Sequence, residues 1–448
     1  MTTEKRQWTF MVYMAGDNGK IRRPDDRLLM APMEGAGLRD IREMQDVGST
    51  DQVAILAQFD TLAENATYRL YIGPRGSTDE QALPEQNTGD PNSLRDFIVW
   101  GMTAYPAEHY AVVLWNHGTG WKEDDIYAFA KQKQMRIAAE QGEVRGALTR
   151  SLGDDGSRSR IGGSLFLSSA AQVIGIENPT SRGICYDDGS MDFLDNAEMK
   201  RALAEAQALA GKRIDLLGMD ACLMSMFEVA YQVKDQAFYL VGSQEVEPME
   251  GWPYDRVLGE LVKNPAMSTA DLAKLIVQAY GESLVGGSRG TGQGITQSAI
   301  DLGALEPVAA SLKNLAAQLK RSLEAGDPLM DGAFFRAGSG VVRFSDKDYA
   351  DLKDYVSLIK RWYAGADQGV LDAVDHMLAT LSDADRPVVL ANFAGGPAPY
   401  ERSTGLSIYV PQMNRYSAYY DKLDCASTGW NDFICTLNQV PSDKRFRA

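Results

Sequence analysis

Short apolar runs alternate with longer amphipathic stretches along most of the chain. The apolar runs predict buried strands, which lie at residues 8–16, 52–59, 68–72, 109–115, 214–219, 238–242 and 295–302. Apolar side chains at helical spacing predict helices at residues 27–47, 91–103, 194–209, 223–234, 258–262 and 269–284. Strands that alternate with helices in units of about 12 to 20 residues predict an α/β fold, with a mostly parallel sheet and helices on both faces.

The last third of the chain has a different pattern. Helical spacing dominates it at residues 304–325, 347–364 and 367–381, with short strands near 387–393 and 406–410. We therefore predict a main domain over residues 1–302 and a mainly helical C-terminal subdomain over residues 303–448. Inside the main domain, residues 122–182 are charged and loop-like, and we interpret them as an inserted segment. Residues 73–92 and 286–294 are predicted as loops from their turn-forming composition.

Two of the predicted strands end at residues that can carry chemistry. Cys222 follows the strand at 214–219 just before a predicted helix, and a helix N-terminus lowers the pKa of a thiol. His117 follows the strand at 109–115 and precedes Gly118. A lone cysteine or histidine in such a place is more often a structural residue. Parallel strands end at one edge of a sheet, however, so we expect these two side chains to converge there.

The composition of the chain limits which partners and which cellular location we expect. The 448 residues carry a formal net charge of −16, which disfavours nucleic acid as a partner. No apolar run approaches the roughly 18 to 20 residues of a membrane span, and no secretory signal is evident, so we expect a cytoplasmic protein without membrane contact. The four cysteines form no disulfide or zinc-binding pattern. We interpret Cys425, Cys435 and His376 as structural.

Several segments together resemble the clostripain family of cysteine peptidases, which belongs to the caspase-like clan. They are YAVVLWNHGTGW around His117, LLGMDACLMSMFEVAYQ around Cys222, MVYMAGDN near the start and SQEVEPMEGWPYD after the cysteine. The resemblance is good over residues 8–120 and 183–302, and weak over 122–182 and the C-terminal third. It implies a caspase-like three-layer α/β sandwich.

The resemblance also implies roles for individual residues. His117 is expected to act as general base and acid, and Cys222 as the nucleophile. The backbone N–H groups of Gly118 and Cys222 are expected to bind the oxyanion. Family members cleave after Arg or Lys, and Asp220 matches the acidic residue that selects this cationic side chain. Glu250 stands where the family often has Asp, and we expect it to assist Asp220.

Family members are often made as zymogens that cleave themselves between the two motifs. The segment 122–182 is rich in basic residues, so we predict self-cleavage there. Some members bind calcium, but no EF-hand-like loop is present. The acidic pairs Asp124-Asp125, Asp154-Asp155 and Asp187-Asp188 are interpreted as solvated loops. We therefore expect no metal site or other cofactor, with calcium left open.

Three functions compete at this point. The first is a cysteine endopeptidase that cleaves protein or peptide substrates after Arg or Lys. The second is a catalytically silent caspase-like scaffold or regulator, which both motifs argue against. The third is another thiol enzyme, such as an acyltransferase, which would not need acidic residues beside the cysteine. An intracellular protease needs restraint, so we also expect a latent form or an activating partner.

Overall fold

The computed structural model describes residues 5–17, 21–22, 28–30, 32–61, 66–121, 183–187, 192–248, 250–284, 294–365, 367–396, 399–411 and 416–439. The predicted inserted segment at 122–182 therefore lies outside the described residues. The predicted cleavage sites lie outside them as well, as do the acidic pairs at 124–125 and 154–155.

Among the described residues, nine strands form one central sheet and six short strands form three small ones. In chain order the strands are β1 (Arg6–Ala15), β2 (Ile21–Arg22), β3 (Leu28–Met30), β4 (Val53–Thr61), β5 (Ala66–Ile72), β6 (Thr78–Leu83), β7 (Ala107–Trp115), β8 (Gly183–Asp187), β9 (Asp192–Asp195), β10 (Ile214–Asp220), β11 (Ala237–Gly242), β12 (Ile295–Asp301), β13 (Tyr349–Asp351), β14 (Val389–Gly395) and β15 (Ser407–Tyr409). The order across the central sheet is β14-β12-β11-β10-β7-β1-β4-β5-β6.

The five strands at the centre of this sheet are parallel, and the outer strands are antiparallel to their neighbours. The central strands are apolar along most of their length because both of their faces are covered. Met14 lies opposite Trp115, and Trp115 lies opposite Asp220. The carboxyl ends of β1, β7 and β10 therefore lie side by side at one edge.

Helices cover both faces of the central sheet. They are α1 (Pro32–Val47), α2 (Pro91–Ala104), α3 (Asn196–Ala210), α4 (Phe227–Gln232), α5 (Tyr254–Lys263), α6 (Thr269–Leu284), α7 (Leu305–Glu324), α8 (Pro328–Gly340), α9 (Leu352–Trp362), α10 (Gln368–Leu381) and α11 (Trp430–Gln439). Apolar residues of α1, α5 and α6 form one buried core with the sheet. Those of α2, α3 and the C-terminal helices form the other. The predicted three-layer α/β arrangement is confirmed.

Some predicted elements differ from the structure. Residues 78–83 are not loop but the strand β6, whose mostly exposed polar residues leave no apolar period to detect. The helix predicted from residue 27 begins at Pro32, after the short strand β3. Helices α8 and α11 were not predicted at all. Strand β14 of the predicted C-terminal subdomain joins the edge of the central sheet through β12. None of the described helices is both long enough and apolar enough to cross a membrane.

Candidate active site

The two candidate loops leave the sheet at neighbouring positions. Strands β7 and β10 are paired in parallel, and the backbone N–H of Asn116 donates to the carbonyl of Asp220 at 3.3 Å. His117 and Cys222 follow within two residues of this contact. The pairing of the two strands thus carries both side chains to one edge of the sheet, as expected from the sequence.

Gly118 joins the two loops directly. Its backbone N–H lies close enough to the sulfur of Cys222 to lower the pKa of the thiol. A Cβ atom at this position would lie 2.4 Å from the carbonyl oxygen of Cys222 and 3.0 Å from the Cβ of Ala221. Only glycine therefore allows the backbone after His117 to approach the cysteine this closely.

His117 is held as a neutral base in this arrangement. Its side chain is partly buried, and burial lowers its pKa from 6.5 to about 4. A neutral imidazole can accept the proton of a thiol, which is the first requirement for a base in thiol catalysis.

The thiol of Cys222 is covered by the loop that follows β11. The Glu247 N–H donates to the sulfur at 3.3 Å, and the sulfur lies 3.9 Å from the Glu247 carbonyl oxygen. Only 4% of Cys222 is exposed. Burial, and next the nearby carboxylate of Glu247, raise the thiol pKa from 9 to about 12. In this conformation the sulfur is protonated at neutral pH.

The expected lowering of the thiol pKa by a helix N-terminus is therefore wrong. The predicted helix from residue 223 begins only at Phe227, five residues after the cysteine. Leu223 has a φ of +64°, which a leucine rarely adopts, and this breaks the helical path. The Leu223 N–H donates to the carbonyl of Glu245 at 3.2 Å, which anchors this turn to the loop after β11.

Asp220 lies in a buried acidic region beside the cysteine. Its Oδ2 accepts hydrogen bonds from the Tyr254 hydroxyl at 2.9 Å and from the Trp252 N–H at 3.2 Å. The carboxyl group of Asp40 lies nearby, held by the indole N–H of Trp115 at 2.7 Å. Burial and the charge of Asp220 raise the pKa of Asp40 well above its usual range. The region is therefore strongly attractive to a cation.

The structure places the two glutamates of the following loop differently. Glu250 is exposed, whereas Glu247 is 9% exposed and its carboxyl group lies beside Asp220, Gln297 and Trp252. Burial and Asp220 raise the pKa of Glu247 well above its ordinary value. The sequence reasoning missed Glu247. The one signal in the sequence was that Glu247 follows the end of β11 by only five residues, which places it near the same edge of the sheet as Cys222.

Most of the chain matches the profile of one known protein family. The profile of the clostripain family matches residues 12–141 and 170–436. The chain belongs to the clostripain family.

One curated relative and two solved structures agree with this membership. Clostripain of Hathewaya histolytica is 27% identical over 188 residues, which are 40% of this chain and 25% of that protein. The chain thus spans about a quarter of the length of this curated relative. A secreted C11 cysteine protease of Bacteroides thetaiotaomicron, solved with an irreversible peptide inhibitor, gives a TM-score of 0.60 at 19% identity, over 95% of this chain and 99% of that one. An inactive zymogen C11 protease of Parabacteroides distasonis gives 0.59 at 19% identity, over 95% and 98%. These structures share the fold.

In this clostripain-family chain, the C-terminal region supports both candidate loops. The Tyr349 hydroxyl donates to the carbonyl of Thr119 at 2.7 Å, two residues after His117. On the other loop, the Ser225 carbonyl accepts hydrogen bonds from the N–H and the hydroxyl of Ser407 at 3.0 and 2.9 Å. The predicted C-terminal subdomain therefore positions the site although it holds neither His117 nor Cys222.

A second acidic group lies at the same edge of the sheet. Among the residues that the structure describes, Asp17, Asp60 and Glu85 have carboxylate oxygens within 4.8 Å of one another. Asp187 is fully buried nearby and accepts from the Thr88 N–H at 3.0 Å, so its interpretation as part of a solvated loop is wrong. Burial, followed by the charge of Asp187, raises the pKa of Asp60 from 3.8 to about 8. The sequence missed this group because its members come from separate elements.

The four cysteines are all free thiols. Cys185 and Cys425 are buried, and Cys435 is partly buried. His376 is exposed on α10. The interpretation of Cys425, Cys435 and His376 as structural stays a prediction.

Proposed function

We propose that this protein is a cysteine endopeptidase that cleaves after Arg or Lys through Cys222 and His117. The observation that supports the proposal most directly is the close approach of Gly118, the residue after His117, to Cys222. The buried carboxylate of Asp220, two residues before the nucleophile, supports a cationic substrate side chain.

The reaction follows from these groups. His117 takes the proton of the Cys222 thiol, and the thiolate attacks the carbonyl carbon of the scissile bond. The resulting oxyanion accepts hydrogen bonds from the N–H groups of Gly118 and Cys222. His117 then returns its proton to the leaving amine as the acyl-enzyme forms. A water molecule, deprotonated by His117, releases the new carboxylate and restores the thiol.

The covered thiol supports a latent form. Substrate cannot reach a sulfur that is 4% exposed until the loop around Glu247 shifts. Strand β8 follows the segment 122–182 directly, and its Ile184 forms a bridge with Gly118. We propose that self-cleavage within 122–182 frees β8 and, through Gly118, loosens the cover of the sulfur. An activating partner that binds this region would act in the same way.

We further propose that the protein is cytoplasmic and that it binds calcium. The cytoplasmic location rests on the sequence alone, and one structural relative is described as secreted. Calcium binding is supported by the acidic group of Asp17, Asp60 and Glu85, which lies apart from the acidic pairs at 124–125, 154–155 and 187–188 in the sequence.

The test uses fluorogenic peptides that end in Arg, Lys or Leu before the cleaved bond. We expect wild type to cleave the Arg and Lys peptides, and Cys222→Ala and His117→Ala to lose at least a thousandfold in kcat/KM. Equal activity in Cys222→Ala would overturn the proposal. A wild type that cleaves nothing even after its chain is cut within 122–182, with and without calcium, would favour the silent scaffold, for which the buried thiol is the supporting observation. Transfer of the acyl group to an added amine instead of water would favour an acyltransferase.

A further inference from the structure

The loop that covers the Cys222 sulfur is fixed at its base. This covering loop comprises residues 243–248, directly after β11, and its first three residues are at most 3% exposed. The backbone N–H groups of Gln244 and Glu245 both donate to the hydroxyl oxygen of Thr296 in β12, at 3.1 and 2.9 Å. The base of the covering loop is therefore packed into the sheet, as part of the core.

The side chain of Gln244 ties this base to Asp351, which belongs to the C-terminal third of the chain. Asp351 is fully buried at the end of β13, where it also caps α9. Its two oxygens accept four hydrogen bonds, from the Gln244 amide at 3.1 Å, the Thr404 N–H and hydroxyl at 2.6 and 2.8 Å, and the Asp354 N–H at 2.9 Å. An ionised carboxylate offers about four acceptor positions, so Asp351 cannot turn without losing a partner.

Gly405 joins the covering loop to the turn that follows the cysteine. Its N–H donates to the side-chain carbonyl of Gln244 at 2.9 Å, and its own carbonyl accepts from the Ser225 hydroxyl at 2.8 Å. Its φ is +98°, and a Cβ atom here would lie 2.8 Å from a neighbouring side chain, so the position requires glycine. One residue thus sets the distance between the loop that carries Glu247 and the turn that carries Cys222.

The same contacts determine how the sulfur is covered. The Glu247 N–H donates to the Cys222 sulfur at 3.3 Å, only two residues beyond the base of the covering loop. The backbone bonds to Thr296 tie this base to the sheet alone. The Gln244 side chain adds the link to the C-terminal third, and through Gly405 it refers the loop to the cysteine turn. While that link lasts, the loop and the sulfur keep their separation.

We propose that Gln244, held between Asp351 and Gly405, is the positioning residue that keeps the covering loop closed over the Cys222 sulfur. The C-terminal third of the chain thereby restrains the thiol. As a device for latency this assignment rests on the proposed function, whereas the restraint on the thiol does not. When a substrate enters, the contact of Glu247 with the sulfur breaks while the base of the covering loop stays in place.

The test measures the rates at which iodoacetamide labels Cys222 and Cys425 in the full, uncleaved chain. Cys425 is fully buried in the C-terminal third, so its rate reports a general loosening of the fold. Gln244→Met keeps the approximate size of the side chain and removes its two hydrogen bonds. We expect labelling of Cys222 to become roughly tenfold faster or more, and labelling of Cys425 to stay within about twofold of wild type.

Asp372→Asn is the matched control. The Asp372 carboxylate accepts from the Gln368 amide at 2.7 Å, which is the same type of contact on the exposed side of α10. Both labelling rates should stay within about twofold of wild type. If Gln244→Met does not fold, Gln244→Asn replaces it, because its amide stays polar but is one methylene too short to reach both partners. We then expect labelling of Cys222 to be about threefold faster.

Two results would overturn the assignment. One is an unchanged labelling rate of Cys222 in the Gln244 variant. The other is an equal increase at Cys222 and Cys425, which would show a general loss of packing. Neither readout needs peptide cleavage. An Arg peptide left uncut by wild type, beside a selective increase at Cys222 in the variant, would support the assignment and count against the proposed function alone.

Discussion

Tyr349, from the C-terminal third of the chain, hydrogen bonds through its hydroxyl to the backbone carbonyl of Thr119, 2.7 Å away. The ring also packs on Gly120, where a Cβ atom would lie 2.8 Å from it, and Gly120 has a φ of +70°. The loop that carries His117 is therefore held in part by the C-terminal third of the chain.

We predict that Tyr349→Phe lowers kcat three- to tenfold with little change in KM, because one hydrogen bond of about 1 kcal/mol to the His117 loop is lost. Steady-state kinetics across pH 5–9 measures kcat and KM. In the pH profile of kcat/KM, the limb that reports ionisation of His117 should shift in Tyr349→Phe. Tyr363→Phe is the matched control, since its hydroxyl donates to Asp327 at 2.9 Å and not to the His117 loop. Equal effects in both variants would contradict a positioning role.

Gly118→Ala should remove nearly all activity. The new Cβ would lie 2.4 Å from the Cys222 carbonyl oxygen, so either the His117 loop or the cysteine must move. We expect a loss of at least a hundredfold in kcat/KM, measured beside the melting temperature. Gly259→Ala on α5 meets no atom within 4 Å and should keep full activity. Full activity in Gly118→Ala would show that the contact is dispensable.

The thiol of the intact chain should react slowly. A pKa of about 12 leaves little thiolate at pH 7.5, so we expect iodoacetamide to label Cys222 at least a hundredfold slower than free cysteine. Mass spectrometry of the peptide that contains Cys222 measures the rate, and the same chain in urea is the control. Rapid labelling of the folded, uncleaved chain would mean that the sulfur is not covered in solution.

Ionisation of Glu228 makes the free energy of unfolding depend on pH. It lies buried on α4, where its Oε1 accepts from the Tyr409 N–H at 2.8 Å and from the Tyr420 hydroxyl at 2.9 Å. Burial raises its pKa from 4.5 to about 7. The folded chain thus binds the proton more tightly than the unfolded chain, so this stabilisation is complete below pH 4.5 and is lost as pH rises to 7 and above.

Glu228→Gln should therefore match wild type near pH 5 and exceed it near pH 8, by on the order of 3 kcal/mol at most. Urea unfolding at the two pH values measures the free energy of unfolding. Glu324→Gln, exposed on α7, should show no such difference. A constant offset between wild type and Glu228→Gln at both pH values would rule out ionisation as the cause.

A calcium ion should stabilise the fold through Asp60. Asp60 Oδ2 is buried and unpartnered among the described residues, and Asp17 and Glu85 face it. We expect millimolar calcium to raise the melting temperature by several degrees in wild type and not in Asp60→Asn. The same shift in Asp60→Asn would place the ion elsewhere, and no shift in wild type would leave the acidic group without a metal.

The features that depend on the local pattern of apolar and polar residues could be predicted from the sequence. The strands that end at His117 and Cys222 are apolar runs, and their parallel pairing is consistent with the helix predicted between them at 194–209. The state of the thiol was mispredicted because the turn at Leu223 and the cover by Glu247 depend on contacts with a loop more than twenty residues away. Glu247 and Asp60 were missed for the same reason, since nothing near them in the chain reveals which carboxyl groups will be buried together.

The pairing of β7 with β10 has a consequence for any cleaved form. The segment 122–182 joins these two strands in sequence, and they are neighbours in the sheet. Backbone cleavage there would leave His117 and Cys222 on separate polypeptides that share one sheet. Each fragment alone would expose an apolar strand edge. Recovery of activity after denaturation would then become a second-order process, whose rate rises with protein concentration, whereas the uncleaved chain would refold at a rate independent of it.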